Sequence, residues 1–109
     1  KGAAEFAVLS LLRGGRSYGS KLLDSIAEAK RLNISEGSIY PLLKRLEFDG
    51  KITSSWEHDE GAIHPRKYYA LTDKGSALVD AMSEEWSGFA RALDALQVPA
   101  GGAPLSKVG

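Results

Sequence analysis

The spacing of hydrophobic residues divides the first half of the chain into three predicted helices. Residues 3–13 are apolar on nearly every side, and the two glycines that follow end this helix. A second helix is predicted over residues 17–29. The third begins after Ser35, whose hydroxyl can accept a hydrogen bond from a first-turn amide, and ends near Phe48. Its apolar residues recur at the spacing of one helix face: Ile39, Leu42, Leu43 and Leu46.

The pattern changes after residue 50. Apolar and polar residues alternate over 51–58, residues 67–72 are rich in strand formers, and a polar loop connects the two segments. This combination predicts a β-hairpin with a long tip. A last helix of about 25 residues follows, with Thr72 or Asp73 as its N-cap.

The predicted order is helix, helix, turn, helix, hairpin and long helix, which is the order of a winged helix-turn-helix. The fold class is therefore mainly α with a small β-hairpin. We divide the chain into a winged helix-turn-helix DNA-binding domain at residues 1–72, a C-terminal dimerisation helix at 73–98 and an irregular tail at 99–109.

The outward face of the third helix offers hydroxyls and cations. In a winged helix-turn-helix this helix enters the major groove of DNA. The predicted DNA contacts are Ser35, Gly37, Ser38, Tyr40, Pro41, Lys44 and Arg45. An ordinary solvated helix would carry a similar face, but the position between a turn and a hairpin favours DNA binding.

Pro41 is unusual within a helical pattern, because an interior proline costs ~3 kcal/mol. We interpret it as a bend that directs Gly37, Ser38 and the positive end of the helix dipole towards DNA. A tolerated kink whose cost is offset by packing is the alternative.

The end of the hairpin loop adds further cations. His64, Arg66 and Lys67 are predicted to reach the DNA backbone or the adjacent minor groove. The carboxylates of Asp59 and Glu60 would repel the DNA backbone if they faced the same side as these cations. A solvated basic loop is the alternative.

The last helix carries an apolar stripe whose residues are three and four positions apart, as in the seam of a coiled coil. About 25 residues give roughly 37 Å, which is longer than a three-helix domain needs. The far end of the stripe must therefore be buried elsewhere, and an identical partner is the simplest source. We predict a homodimer, with a core stripe within one domain as the alternative. The predicted contacts are Phe6, Leu9, Val79, Met82, Trp86, Phe89, Leu93 and Leu96.

Two segments resemble the PadR family of bacterial transcription regulators: "SEGSIYPLLKRLEFDGKITSSW" and "PRKYYALTDKG". The segment "YGSKLLDSI" is similar to the second helix of that family, and the likeness extends over roughly residues 3–97. The resemblance implies a dimeric winged-helix repressor, usually ligand-responsive, that binds palindromic operators. At the wing, Ile63 and His64 stand where family members often have glycine or proline.

The resemblance also implies an effector site at Trp86, because the corresponding tryptophan lines a drug-binding space in multidrug-responsive members. Two indoles facing each other across a two-fold axis could admit a small planar aromatic effector. An interface tryptophan without a ligand is the alternative. The predicted effector contacts are Met82, Glu85, Trp86, Phe89 and Leu93.

Composition narrows the classes of function. The chain has no cysteine, no apolar run of the ~18 residues that span a bilayer and no visible secretory signal. We therefore expect a cytoplasmic protein without a membrane partner. We find no catalytic or phosphate-binding motif, and expect neither an enzyme nor a cofactor.

Two further observations leave alternatives open. His58 and His64 flank Asp59 and Glu60, but two histidines on a loop are more often plain surface residues than metal ligands. The formal net charge is zero. This neutrality supports an alternative function, a winged-helix protein-interaction module that does not bind DNA.

Overall fold

The computed structural model describes residues 2–98, so the predicted tail at 99–109 lies outside the described residues. The elements in chain order are α1 Ala3–Arg13, β1 Ser17–Tyr18, α2 Gly19–Glu28, the 3₁₀ turns Lys30–Leu32 and Glu36–Ser38, α3 Ile39–Phe48, β2 Ile52–Glu57, β3 Arg66–Leu71 and α4 Asp73–Leu96. The fold class predicted from the sequence is confirmed: three helices, a hairpin and a long final helix.

The sheet has one strand more than predicted. Its order is β1-β3-β2, and both pairings are antiparallel. Ser17 pairs with Tyr69 and Tyr18 with Tyr68, so the second helix begins at Gly19 and not at residue 17. A strand of two residues is too short for alternation to reveal it.

The start of α3 explains why Pro41 is tolerated. α-Helical geometry begins only at Ile39, so Pro41 lies in the first α-helical turn, where a missing amide costs little. The prediction that Pro41 lies in the interior of a helix and destabilises it is therefore wrong. The proline ring would press on the carbonyl of Gly37 in an α-helix, and Gly37 belongs instead to a 3₁₀ turn.

One hydrophobic core joins α1, α2, α3, the sheet and the beginning of α4. α1 contacts α2, β3 and α4, so its apolar perimeter is largely used within the protomer. Leu9 and Val79 are fully buried in this core, which contradicts their prediction as dimer contacts. The reason is that α1 packs directly on the first half of α4 and encloses both side chains.

The hairpin is attached to α4 by a tight junction. The Thr72 hydroxyl accepts a hydrogen bond from the amide of Gly75 at 3.1 Å and donates one to the carbonyl of Gly50 at 2.6 Å. Thr72, not Asp73, is therefore the N-cap. A Cβ atom on Gly75 would overlap the carbonyl oxygen of Lys51. The glycine thus lets α4 start against the first residues of the wing, which fixes the hairpin relative to the helices.

Candidate nucleic-acid interface

The exposed face of α3 carries two cations without an acidic partner. Because Leu43 and Leu46 point into the core, Lys44 and Arg45 face solvent. Within residues 2–98 neither of these cations forms a salt bridge. Such side chains can bind phosphate oxygens or the acceptor edge of guanine.

The turn before α3 presents the polar residues that were predicted ahead of this helix. Ser35 accepts a hydrogen bond from the amide of Gly37 at 3.2 Å, so it caps the 3₁₀ turn. The Ser38 hydroxyl donates to the carbonyl of Ser35 at 2.7 Å. All three residues are exposed. The two hydroxyls shape the turn, and Ser38 would have to exchange this bond to donate to a phosphate.

Two of the three wing side chains predicted from the sequence, Arg66 and Lys67, are each paired with a carboxylate. Arg66 lies 3.7 Å from Asp59, and Lys67 lies 3.9 Å from Glu47 on α3. Both pairs are partly exposed and long, which makes them weak. Asp59 therefore neutralises Arg66 and does not simply flank the loop. A DNA phosphate that bound these cations would compete with the carboxylates.

Stacked aromatic rings and guanidinium groups hold the base of the wing. Arg16 lies over the ring of Tyr68 and Arg66 over that of Tyr18, both at 4.3 Å from the ring centroid. The two tyrosine rings meet edge to face at 5.4 Å. The Tyr68 hydroxyl donates to Asp59 at 2.7 Å, and this hydrogen bond raises the pKa of Tyr68. The side chain of Arg66 is thereby held in place.

A cleft of about 380 Å³ separates the wing from the N-terminal ends of α2 and α3. Arg66 and Lys67 lie on its wing side, and Tyr40 lies on its helix side. The cleft is lined by Tyr18, Gly19, Ser20, Tyr40, Trp56, Pro65, Arg66, Lys67 and Tyr69. Hydroxyls, cations and an exposed indole in one concave surface suit a sugar–phosphate backbone.

Several residues of this cleft were not predicted from the sequence. Trp56 is 68% exposed and pairs with Lys67 across the hairpin, so the hairpin register would have placed it beside the cation. Ser20 and Gly19 come from α2, which gave no sequence signal for binding. Tyr69 is buried, and this burial, with Glu47 and Tyr40 nearby, raises the pKa of its hydroxyl.

The wing tip has a defined conformation. A ring nitrogen of His58 lies 2.6 Å from the carbonyl oxygen of Ala62, and Gly61 provides the positive φ that the turn requires. His64 and Ile63 are exposed at this tip. Within residues 2–98, no three potential metal-ligand side chains of the acidic, histidine or cysteine types lie together.

An apolar site lies at the other side of the molecule, where α1 meets α4. The ring of Trp86 stacks nearly parallel to that of Phe6, with centroids 6.2 Å apart, and meets Phe89 edge to face. Four of the predicted effector contacts, Met82, Glu85, Trp86 and Phe89, line a surface cavity of about 560 Å³. Leu93, the fifth, is not among its lining residues.

Trp86 also lines a second cavity. It encloses about 310 Å³. The lining residues are almost wholly apolar: Ala3, Phe6, Ala7, Ser10, Leu32 and Trp86. Leu32 reaches it from the connection between α2 and α3, which the sequence analysis described only as a turn.

Within residues 2–98, no helix is long and apolar enough to cross a membrane. α4 is long enough in residues but carries too many polar and charged side chains.

Solved structures with the same fold come from several bacteria. A PadR-like transcriptional regulator from Bacillus cereus is 28% identical, with a TM-score of 0.78 over 87% of this chain and 91% of that one. A PadR family transcriptional regulator from Eggerthella lenta is 35% identical, with a TM-score of 0.65 over 84% and 78%. A PadR-like transcription factor from Bacteroides fragilis is 31% identical, with a TM-score of 0.68 over 85% and 88%.

No curated protein matches the sequence significantly. A family profile, however, agrees with the solved structures. The sequence profile of the transcriptional regulator PadR-like family matches residues 8–81, which span the core, α3, the wing and the beginning of α4. This match covers more than half of the chain and includes the residues that build the interface described above. The chain therefore belongs to the PadR-like family of transcriptional regulators, which bind DNA and are not enzymes.

Proposed function

We propose that this regulator is a repressor that binds a palindromic operator as a homodimer and is released by a small planar aromatic effector. The observation that carries the DNA contact is the cleft between α3 and the wing. Lys44 and Arg45, which form no salt bridge within residues 2–98, support it. In this proposal residues 1–72 bind DNA and residues 73–98 hold the dimer. A regulator of bacterial transcription works where the chromosome is, so we place it in the cytoplasm.

The DNA contacts divide by role. The exposed face of α3 enters the major groove, and Lys44 and Arg45 meet guanine edges or phosphates there. The wing follows the backbone towards the minor groove. The residues assigned to these contacts are Ser35, Gly37, Ser38, Tyr40, Pro41, Lys44, Arg45, His64, Arg66 and Lys67.

The exposed far half of α4 supports the dimer. Phe89 is 57% exposed and Leu96 77% exposed, and a monomer would leave this apolar stripe in water. A second copy that lays its own α4 along the stripe would cover it, and it would also reach the cavity beside Phe6 and Leu32. The proposed contacts that remain after correction are Phe6, Met82, Trp86, Phe89, Leu93 and Leu96.

A protein-interaction module without DNA binding is the second candidate. The neutral net charge and the carboxylates beside Arg66 and Lys67 favour it, since they weaken the attraction to DNA. Selection of duplexes from random-sequence DNA, followed by affinity measurements at several salt concentrations, tests the two candidates. We expect a palindromic consensus and an affinity that falls steeply with salt. If no sequence is enriched and no duplex is bound at low salt, the second candidate replaces the first.

A further inference from the structure

Gly19, the first residue of α2, lies directly against the ring of Tyr40 from α3. A Cβ atom on Gly19 would come within 2.8 Å of both the hydroxyl oxygen and the Cε1 atom of Tyr40. Real Cβ atoms essentially never approach other heavy atoms this closely. The tyrosine ring can therefore occupy its position only because residue 19 has no side chain.

The backbone conformation at this position does not call for glycine. Positive φ angles occur at Gly2, Gly15, Gly50 and Gly61, and the backbone of Gly19 is not in that region. Because the three nearest heavy atoms all belong to the far end of the Tyr40 side chain, an added methyl group would move that end and leave the backbone in place. Glycine here serves the position of the tyrosine, whereas at Gly75 it serves the packing of the backbone.

The hydroxyl of Tyr40 is available for a ligand. Among the described residues it makes no hydrogen bond, and half of the side chain is exposed. Tyr40 lines the same cleft as Ser20, at the start of α2, and Lys67 on the wing. A phosphodiester in this cleft would meet two hydroxyl donors and a cation, each of which binds phosphate oxygens well.

We infer that Gly19 is a positioning residue for DNA binding, which keeps the Tyr40 hydroxyl beside the start of α2 so that Tyr40 and Ser20 hold one backbone phosphate. The inference rests on the proposed DNA contact and adds a residue that touches no DNA itself. A phosphate contact carries no sequence information. Loss of this contact should therefore weaken all duplexes by the same factor.

The Gly19→Ala variant tests this inference in a double-mutant cycle with Tyr40→Ala. In the otherwise unchanged protein, we expect Gly19→Ala to weaken binding by about tenfold, for the selected duplex and an unrelated duplex alike. In the Tyr40→Ala background the same substitution should change the affinity by less than about twofold. The matched control is Gly14→Ala, a glycine with negative φ at the C-cap of α1, which should leave both affinities unchanged.

Thermal unfolding of every variant separates positioning from loss of structure. If Gly19→Ala fails to fold while the double variant folds, the clash with Tyr40 is confirmed as the reason for glycine. If Gly19→Ala folds and binds DNA normally, or loses equal affinity in both backgrounds, the inference is overturned while the proposed function stands. If the unmodified protein binds neither duplex, the proposed function fails and the inference fails with it.

Discussion

At the scale of single residues, Gly75 has the least room for a side chain among the described glycines. Alanine normally stabilises a helix interior relative to glycine by ~1 kcal/mol. Here its methyl group would overlap the Lys51 carbonyl, a backbone atom that cannot move without displacing the wing. We expect Gly75→Ala to lower the free energy of unfolding by about 1–3 kcal/mol, measured by urea denaturation.

Gly88 provides the matched control in the same helix. Its added methyl group would meet only the far end of Arg91, at 3.9 Å. Gly88→Ala should therefore stabilise the protein by up to ~1 kcal/mol, the ordinary helix effect. If both substitutions stabilise to the same extent, the close approach of α4 to Lys51 is not present in solution.

At the scale of elements, the contact between α3 and the wing makes a prediction about salt. If Lys67 leaves Glu47 to bind a phosphate, Lys67→Ala should reduce the slope of log affinity against log salt concentration by about 0.9. Glu47→Gln should instead raise the affinity for DNA, because it removes the carboxylate that competes for Lys67. The carbonyl oxygen of the new glutamine can still accept the hydrogen bond from Ser54.

A cation outside the proposed interface serves as the control for this pair. Arg13 bonds Asp80 at 3.0 Å, between α1 and α4. Arg13→Ala removes the same charge as Lys67→Ala and should leave the salt slope unchanged. An unaltered slope and affinity in Lys67→Ala itself would mean that the wing makes no contact with DNA through this residue.

Sequence periodicity was sufficient for the elements because each long element shows its apolar face in its own residues. α1 was predicted with its observed bounds, and α4 begins where it was predicted but ends two residues earlier, at Leu96 instead of residue 98. Periodicity could not predict the strand β1 or the start of α3 just before Pro41. β1 forms by pairing with Tyr68 and Tyr69, and the start of α3 depends on where the preceding 3₁₀ turn ends.

The candidate site was predictable only in part, because periodicity does not reveal contacts between elements that are distant in the sequence. Cations on the outward face of α3 follow from helix periodicity, so the exposure of Lys44 and Arg45 was predictable. Gly19 and Trp56 reach the cleft only through packing between elements that are distant in the sequence. The apolar stripe of α4 was recognised, but not the boundary at which it leaves the core, so Val79 was assigned to the dimer instead of the protomer.

At the scale of the whole molecule, the exposed half of α4 predicts how subunits associate. Leu93 is 46% exposed in the protomer, so Leu93→Asp should cost the isolated fold little but place a charge in the proposed interface. We expect sedimentation to show a dimer for the unmodified protein and a folded monomer for Leu93→Asp. Operator binding should be lost together with the dimer, since two recognition helices about 34 Å apart read the palindrome.

Ala95→Asp is the control for charge and helix position. Residue 95 is exposed and lies on the opposite side of α4 from residue 93, because two residues turn a helix by roughly 200°. This variant should remain dimeric and bind DNA. A folded monomer of the unmodified protein at micromolar concentration would contradict the dimer proposal.

The effector proposal also belongs to the whole molecule, because a ligand at α4 can act on DNA only by preferring one arrangement of the two recognition helices. Trp86 stacks on Phe6 and borders two cavities, so a planar aromatic cation bound there should quench its fluorescence. We expect saturable quenching that persists in Trp56→Phe and disappears in Trp86→Phe. Glu85→Gln should weaken cationic ligands more than neutral ones of the same shape, since Glu85 lines one of the two cavities. If quenching is unchanged in Trp86→Phe, Trp86 is a packing residue that does not contact the effector. Release of the repressor from DNA would then need another mechanism.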